Sequence, residues 1–199
     1  MNNVFISEVI ATRLSHDLIG NIGAVANAVE LLNEGDESDK EDITNILNFS
    51  SSVLSRRLKF FRLCFGLSTA SVKTLEELEQ ITADYLLTLG NPNSPIEFEM
   101  HVQTPKIHKL IMPSVMMMAD TLVKAGKIVV NQNDEGIHIE AISEASLNDK
   151  KLKNIQSILQ GQEAEENPST YAPLYYLMQY LEESAVPIKL SGHTLIIGE

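Results

Sequence analysis

The chain of 199 residues has no tryptophan, a single cysteine, and only six phenylalanines and five tyrosines. Its core must therefore rest on Leu, Ile, Val, Ala and Met, a composition that suits helix packing. One thiol, Cys64, excludes a disulfide framework and a thiolate metal cluster. Cations are scarce as well: 15 Lys and Arg stand against 27 Asp and Glu, a net charge of -12. A field of that sign repels polyanions, so nucleic acid and anionic membrane are poor partners. No run reaches the roughly 18 apolar residues of a membrane span. The opening "MNNVFISEVIATRLSHDLIG" lacks the basic-then-apolar order of a secretory signal, and the expectation is a cytoplasmic protein. With 44% hydrophobic and 21% charged residues, the chain has the balance of a folded globular protein.

What is present is a long helical pattern. Ile6, Ile10, Leu14, Leu18, Ile22, Val25, Val29 and Leu32 recur three or four apart, which predicts one helix over residues 3 to 33. Phe5, Val9, Ile19 and Ala26 widen the stripe beyond what one neighbour covers. Gly20 and Gly23 each weaken such a helix by about 1 kcal/mol relative to Ala, so a close approach by a partner is expected there. Gly35 among acids marks the break, with Asp36, Ser38 or Asp39 as candidate caps for the next helix. That second helix is predicted from about 39 to 65, its stripe formed by Ile43, Leu47, Ser50, Leu54, Leu58, Phe61 and Phe65, with Gly66 as its stop. Two such helices make an antiparallel hairpin. Its excess apolar surface predicts that two copies pair as a four-helix bundle.

Beyond Gly66 the periodicity alternates between helix and strand. "SVKTLEELEQITADYLLTLG" reads as a helix capped by Thr74 or Ser71, and "PIEFEMHVQ" as a strand. "KIHKLIMPSVMMMADTLVKAG" is a helix with Pro113 as a candidate break. "GKIVVNQND" and "EGIHIEAIS" form a strand pair around an Asn133–Gly136 turn. Two more helices come next, "LNDKKLKNIQSILQG" and "STYAPLYYLMQYLEESA", the latter with Ser169 as its expected cap. A hairpin in "VPIKLSGHTLIIGE" turns at Ser191–Gly192. The fold expected is α+β: a hairpin domain over 1–68, then a small sandwich over 69–199 with helices on a mixed or antiparallel sheet.

His16 is the residue on which chemistry can be built. It lies two positions from both Leu14 and Leu18, so at about 100° per residue it points away from the apolar stripe. Arg13, Asp17, Gly20, Gly23 and Asn27 fall on or beside the same face, polar or small neighbours that leave room for another protein. When the hairpin is closed, His16 is level with Ser55 and Arg56, within a turn of Ser52 and Lys59. The segment "SRRLKFFR" is the main basic cluster of an acidic chain. Arg57 is expected partly inward, while Arg56 and Lys59 reach solvent, where they can neutralise a phosphoryl group. A neutral imidazole is a good nucleophile toward phosphorus. Asp17 can accept a hydrogen bond from one ring nitrogen and raise the basicity of the other.

The remaining features have plainer readings. Met116, Met117 and Met118 read as core filler. His101, His108, His138 and His193 lack ligand spacing and read as surface residues. Cys64 reads as buried and inert, and "QEAEEN" over 162 to 167 as a solvated loop.

"SHDLIGNIGAVANAVELL" resembles the histidine box of the ChpT-type histidine phosphotransferases of alphaproteobacteria and, more distantly, the dimerisation box of sensor histidine kinases. "RLKFFRLCFG", residues 57 to 66, resembles the end of that family's second helix. Asn21 departs from the pattern, because related boxes often carry Pro there. The resemblance implies a homodimer whose His16 takes a phosphoryl group from the receiver domain of a hybrid histidine kinase and passes it to response-regulator receivers. Mg2+ would be held by the receiver, and this chain would bind no cofactor or metal of its own. It also implies a second domain like a kinase ATP-binding domain that has lost its nucleotide. In agreement, Met116 and Asp120 stand where asparagines would, no D-x-G-x-G follows "GIHIEAIS", and there is no glycine-rich lid. The alternatives are a non-catalytic dimeric adaptor that docks on response regulators and an ATP-dependent histidine kinase.

Overall fold

A computed structural model describes residues 2–34, 39–67, 72–90, 93–182 and 184–198. Two long helices come first, α1 (Asn3–Glu34) and α2 (Lys40–Phe65), packed along one another as a hairpin. Gly35, Asp36 and Ser38 lie outside the described residues, as does Ser71. Asp39 stands at the start of α2 but its side chain makes no cap hydrogen bond. Helix α3 (Leu75–Leu86) is capped by Thr74, whose hydroxyl accepts from the Glu77 amide. Then come β1 (Ile96–His101), a 3-10 turn (Pro105–Ile107), α4 (His108–Ala119), β2 (Gly126–Asn133) and β3 (Gly136–Ile142). The chain ends with α5 (Asp149–Leu159), a second 3-10 turn (Pro168–Tyr171), α6 (Ala172–Glu182), β4 (Ile188–Ser191) and β5 (Thr194–Ile197). Among the described residues these make an α+β fold of six helices and one sheet of five strands.

The sheet has the order β1-β2-β3-β5-β4, parallel between β1 and β2 and antiparallel elsewhere. Its register lines up apolar side chains on one face: Ile128 opposite Ala141, Val130 opposite Ile139, and Ile139 opposite Leu195. All five are buried. Gly136 has φ +135°, and a Cβ there would meet the Ile197 carbonyl oxygen at 2.2 Å, so the β2–β3 turn requires glycine where β5 approaches.

Helix α4 lies in the core, and Pro113 does not break it. An interior proline costs about 3 kcal/mol. Ile111, Met112, Val115, Met116, Met117 and Met118 are all fully buried, at about 1.5–3 kcal/mol each, so burial outweighs the lost hydrogen bond. The methionine run is core filler, as its sequence implies. His108 departs from the surface expectation: it is buried at the start of α4, with Nδ1 3.2 Å from the Pro105 carbonyl oxygen. His101 and His193 are exposed and His138 is half-buried.

The base of the hairpin enters the same core. Phe60, Phe61, Leu63 and Cys64 of α2 cluster with residues of α3, α4 and the sheet. Phe60 stacks on Tyr85 with ring centroids 3.9 Å apart. Val9 of α1 packs with Tyr171, Leu174 and Tyr175. Cys64 is fully buried, and burial pushes its thiol pKa well up. Lys109 of α4 is buried too; its ammonium donates to the carbonyls of Cys64 and Gly66 at the end of α2. The α2 stripe follows the predicted one at most positions: Ile43, Ser50 and Phe61 are buried and Leu47, Leu54 and Phe65 half-buried. Val53 and Phe60 are buried while Leu58 is 53% exposed, because α2 turns one side toward α3 and α4 as well as α1.

Candidate functional site

His16 stands midway along α1, and its side chain is 85% exposed. One turn earlier, α1 is covered by the chain's own C-terminal part. His16 is therefore the point at which the helix emerges, and the outward direction read from the periodicity holds.

Arg13 corrects the expectation from the helical pattern. That pattern places it on the open face, but it is buried and carries a network. Its Nη1 and Nη2 donate to the two carboxylate oxygens of Asp120, at 2.7 and 3.1 Å. Its Nε donates to Asp17 Oδ2 at 2.8 Å, and Nη1 also donates to the Thr170 carbonyl at 3.0 Å. Burial works against the guanidinium charge, but Asp120 and then Asp17 more than compensate and hold its pKa above the ordinary value. Asp120 and Thr170 lie 107 and 157 residues away, beyond what one helix can disclose.

Asp17 is half-buried, its side chain 15% exposed, and each oxygen has a direction. Oδ2 belongs to Arg13, while Oδ1 is turned to His16 Nδ1, 3.5 Å away. The main chain at Asp17 is held from α2: Arg57 donates to its carbonyl and also to the hydroxyl and carbonyl of Thr88 after α3. Arg57 is thus partly inward, as expected, while Arg56 and Lys59 are exposed on α2. Neither of these two lines the cleft at His16. Tyr85 sits in the field of the network. Its hydroxyl is buried without a hydrogen-bond partner among the described residues, and burial, then Asp120, push its pKa well up.

The cleft itself has a volume of about 310 Å3. His16, Asp17 and Arg13 form the α1 side; Lys151 of α5 and Asn167 and Ser169 beside the second 3-10 turn form the other. That turn is capped by Asn167, which accepts from the Ser169 amide, so the cap is Asn167 and not the expected Ser169. Lys151 is a site residue that the sequence pattern does not point to. No local signal marks it, since only the folded chain brings α5 to α1.

Gly20 and Asn27 are exposed and Gly23 is half-exposed along the open part of α1. A Cβ on either glycine would meet nothing within 4 Å, so no neighbour in this chain requires the small residues. Large apolar side chains share the open part of the hairpin, among them Ile19, Ile22 and Val29 on α1 and Ile46 and Phe49 on α2. Among the described residues no group of three or more His, Cys, Asp or Glu is placed to hold a metal ion. Among them, too, no helix is long and apolar enough to cross a membrane.

No protein-family model matches the chain. A stretch of 57 residues, 29% of this chain, is 39% identical to the protein phosphotransferase ChpT of Brucella abortus (strain 2308). The matched part spans 26% of that protein's length. A solved structure of a bacterial phosphotransferase superposes with a TM-score of 0.75 at 20% identity, covering 99% of this chain and 96% of the other. The chain accordingly has the fold of a bacterial phosphotransferase and carries a segment similar in sequence to ChpT.

Proposed function

We propose that the chain is a histidine phosphotransferase of the ChpT type that relays phosphoryl groups between receiver-domain aspartates in a two-component phosphorelay. The observation that carries this reading is an outward imidazole whose neighbouring carboxylate is clamped from behind: His16 over Asp17, Asp17 on Arg13, Arg13 on Asp120. The ChpT-like segment and the phosphotransferase fold support it.

The chemistry follows from the tautomer that Asp17 favours. With Asp17 Oδ1 accepting from Nδ1–H, the Nε2 lone pair is free and faces solvent. Nε2 attacks the phosphorus of an aspartyl phosphate. The N–P bond forms as the P–O bond to the aspartyl carboxyl breaks, and the donor aspartate leaves as a carboxylate. The ring gains positive charge while its Nδ1 proton stays, and Asp17 stabilises that charge. Return to a second receiver is the same exchange in reverse. The contribution of this chain is positioning and electrostatics; Mg2+ is held by the receiver, and this chain needs no nucleotide. Both oxygens of Asp120 are taken by Arg13, which leaves that position committed to holding the hairpin.

The functional unit in this proposal is a homodimer. Residues 1–68 provide the phosphotransfer hairpin, which pairs through its open apolar side into a four-helix bundle. Residues 69–199 provide a domain like a kinase ATP-binding domain that serves as support. Gly20, Gly23 and Asn27 give a receiver close access to His16, and Arg56 and Lys59 add attraction at longer range. The partners are a hybrid kinase's receiver and response-regulator receivers in the cytoplasm. The test is incubation with a phosphorylated receiver domain: the wild type becomes phosphorylated, whereas His16→Ala stays folded and takes no phosphoryl group. A His16→Ala protein that still relays phosphate overturns the proposal.

A further inference from the structure

The cation that balances a phosphoryl group on His16 comes from α5, not from the basic cluster of α2: we infer that Lys151 is that residue. This inference rests on the phosphotransfer reading and names a residue for it.

Charge and existing bonds single out this lysine. The cleft at His16 holds two carboxylates, Asp17 and Asp120, and two cations, Arg13 and Lys151. Arg13 is spent: its guanidinium donates to both carboxylates and to the Thr170 carbonyl. On the opposite wall Asn167 Oδ1 accepts from both the amide and the hydroxyl of Ser169, and neither residue carries a charge. Of the two cations in the cleft, Lys151 alone makes no hydrogen bond or ion pair through its charged group among the described residues; its charge reaches Glu166 only at longer range. Its neighbour Lys150 pairs with Glu166 at 3.1 Å, and Glu166 also accepts from the Tyr171 hydroxyl at 2.8 Å. Glu166 is therefore paired directly with Lys150, and Lys151 acts on it only at longer range.

Lys151 is half-exposed, on the first turn of a helix whose cap, Asn148, accepts from the Lys151 amide. The backbone is thus fixed while the four-carbon stem remains free to swing the ammonium across the cleft. A phosphoryl group brings close to two negative charges into a cleft whose formal charges otherwise cancel. Coulomb attraction draws the uncommitted ammonium to it. Arg56 and Lys59 do not line this cleft.

The experiment compares the full chain with Lys151→Met, Lys151→Arg, Lys150→Met and His16→Ala. Each is mixed with a phosphorylated receiver domain, and the equilibrium share of phosphoryl on the chain is read from phosphate-retarding gels at low and high salt. A charge-assisted contact of this kind is worth about tenfold in the equilibrium. Lys151→Met is expected to lower the share on the chain about tenfold and to lose most of the salt dependence. Lys151→Arg should restore both, and Lys150→Met, which frees Glu166 to compete for Lys151, should lower the share by less than Lys151→Met. If Lys151→Met behaves as the wild type while His16→Ala is blank, the inference is wrong and the phosphotransfer reading stands. If the wild type takes no phosphoryl group, the phosphotransfer reading fails and this inference with it.

Discussion

The two ends of the hairpin live in different environments. Toward its base, α1 sets Ile6, Val9 and Arg13 against the rest of the chain, and α2 buries Phe60, Phe61 and Cys64 in the common core. Toward its tip, Ile19 is 64% and Phe49 67% exposed, with Ile22, Val29 and Ile46 open as well. Exposed apolar surface gathered in this way marks an interaction site. His16 stands at the boundary, close enough to the base for Asp17 to be clamped and far enough out for its ring to be free. The difference separates two roles: the base holds the geometry of the site, and in the proposed homodimer the tip is the surface that meets the second copy.

That comparison can be broken by substitutions at either end. The largest effect should come from the tip. Ile22→Glu with Phe49→Glu is expected to convert a dimer to a monomer in sedimentation velocity at micromolar concentration, with the circular dichroism of each chain largely retained. An unchanged oligomeric state would mean that the open face has no partner copy. At the base, Asp120→Asn should leave dimerisation intact but leave Arg13 buried with a weakened partner. A loss of about 2–3 kcal/mol in denaturant unfolding is expected, together with slower phosphoryl uptake as Asp17 loses its clamp. Stability equal to the wild type would show that the network does not hold the base. The smallest effect should come from Lys109→Met, which removes the ammonium from the Cys64 and Gly66 carbonyls. Thermal unfolding should report a loss of about 1–2 kcal/mol, without change in dimerisation or phosphoryl uptake.

The same division explains what was legible in the sequence. Both long helices, the β2–β3 and β4–β5 hairpins and α5 follow from periodicity and turn residues, since these are local properties. The outward direction of His16 is local too, a matter of angles along one helix. Arg13 is misplaced by the pattern because a helical wheel shows where a side chain starts but not which acceptor folds over it, and Asp120 lies 107 residues away. His108 is misplaced for a similar reason: α4 is buried on nearly every side, so periodicity assigns it no solvent face. On α2 only Leu58 leaves the predicted stripe, and Val53 and Phe60 join the buried side, because three neighbours divide its surface where heptad reasoning supposes one. Lys151 carries no signal in its own segment; its role arises only where α5 meets α1.

The central claim is that Nε2 of His16 carries the phosphoryl group. It is tested most directly by locating that group: the wild-type chain is phosphorylated with a phosphorylated receiver, digested at neutral to basic pH, and mapped by mass spectrometry. The account predicts one acid-labile, base-stable phosphoryl group, on the peptide containing His16. A phosphoryl group on His193 or any other residue, or a stable complex with the receiver and no covalent phosphate, would contradict it.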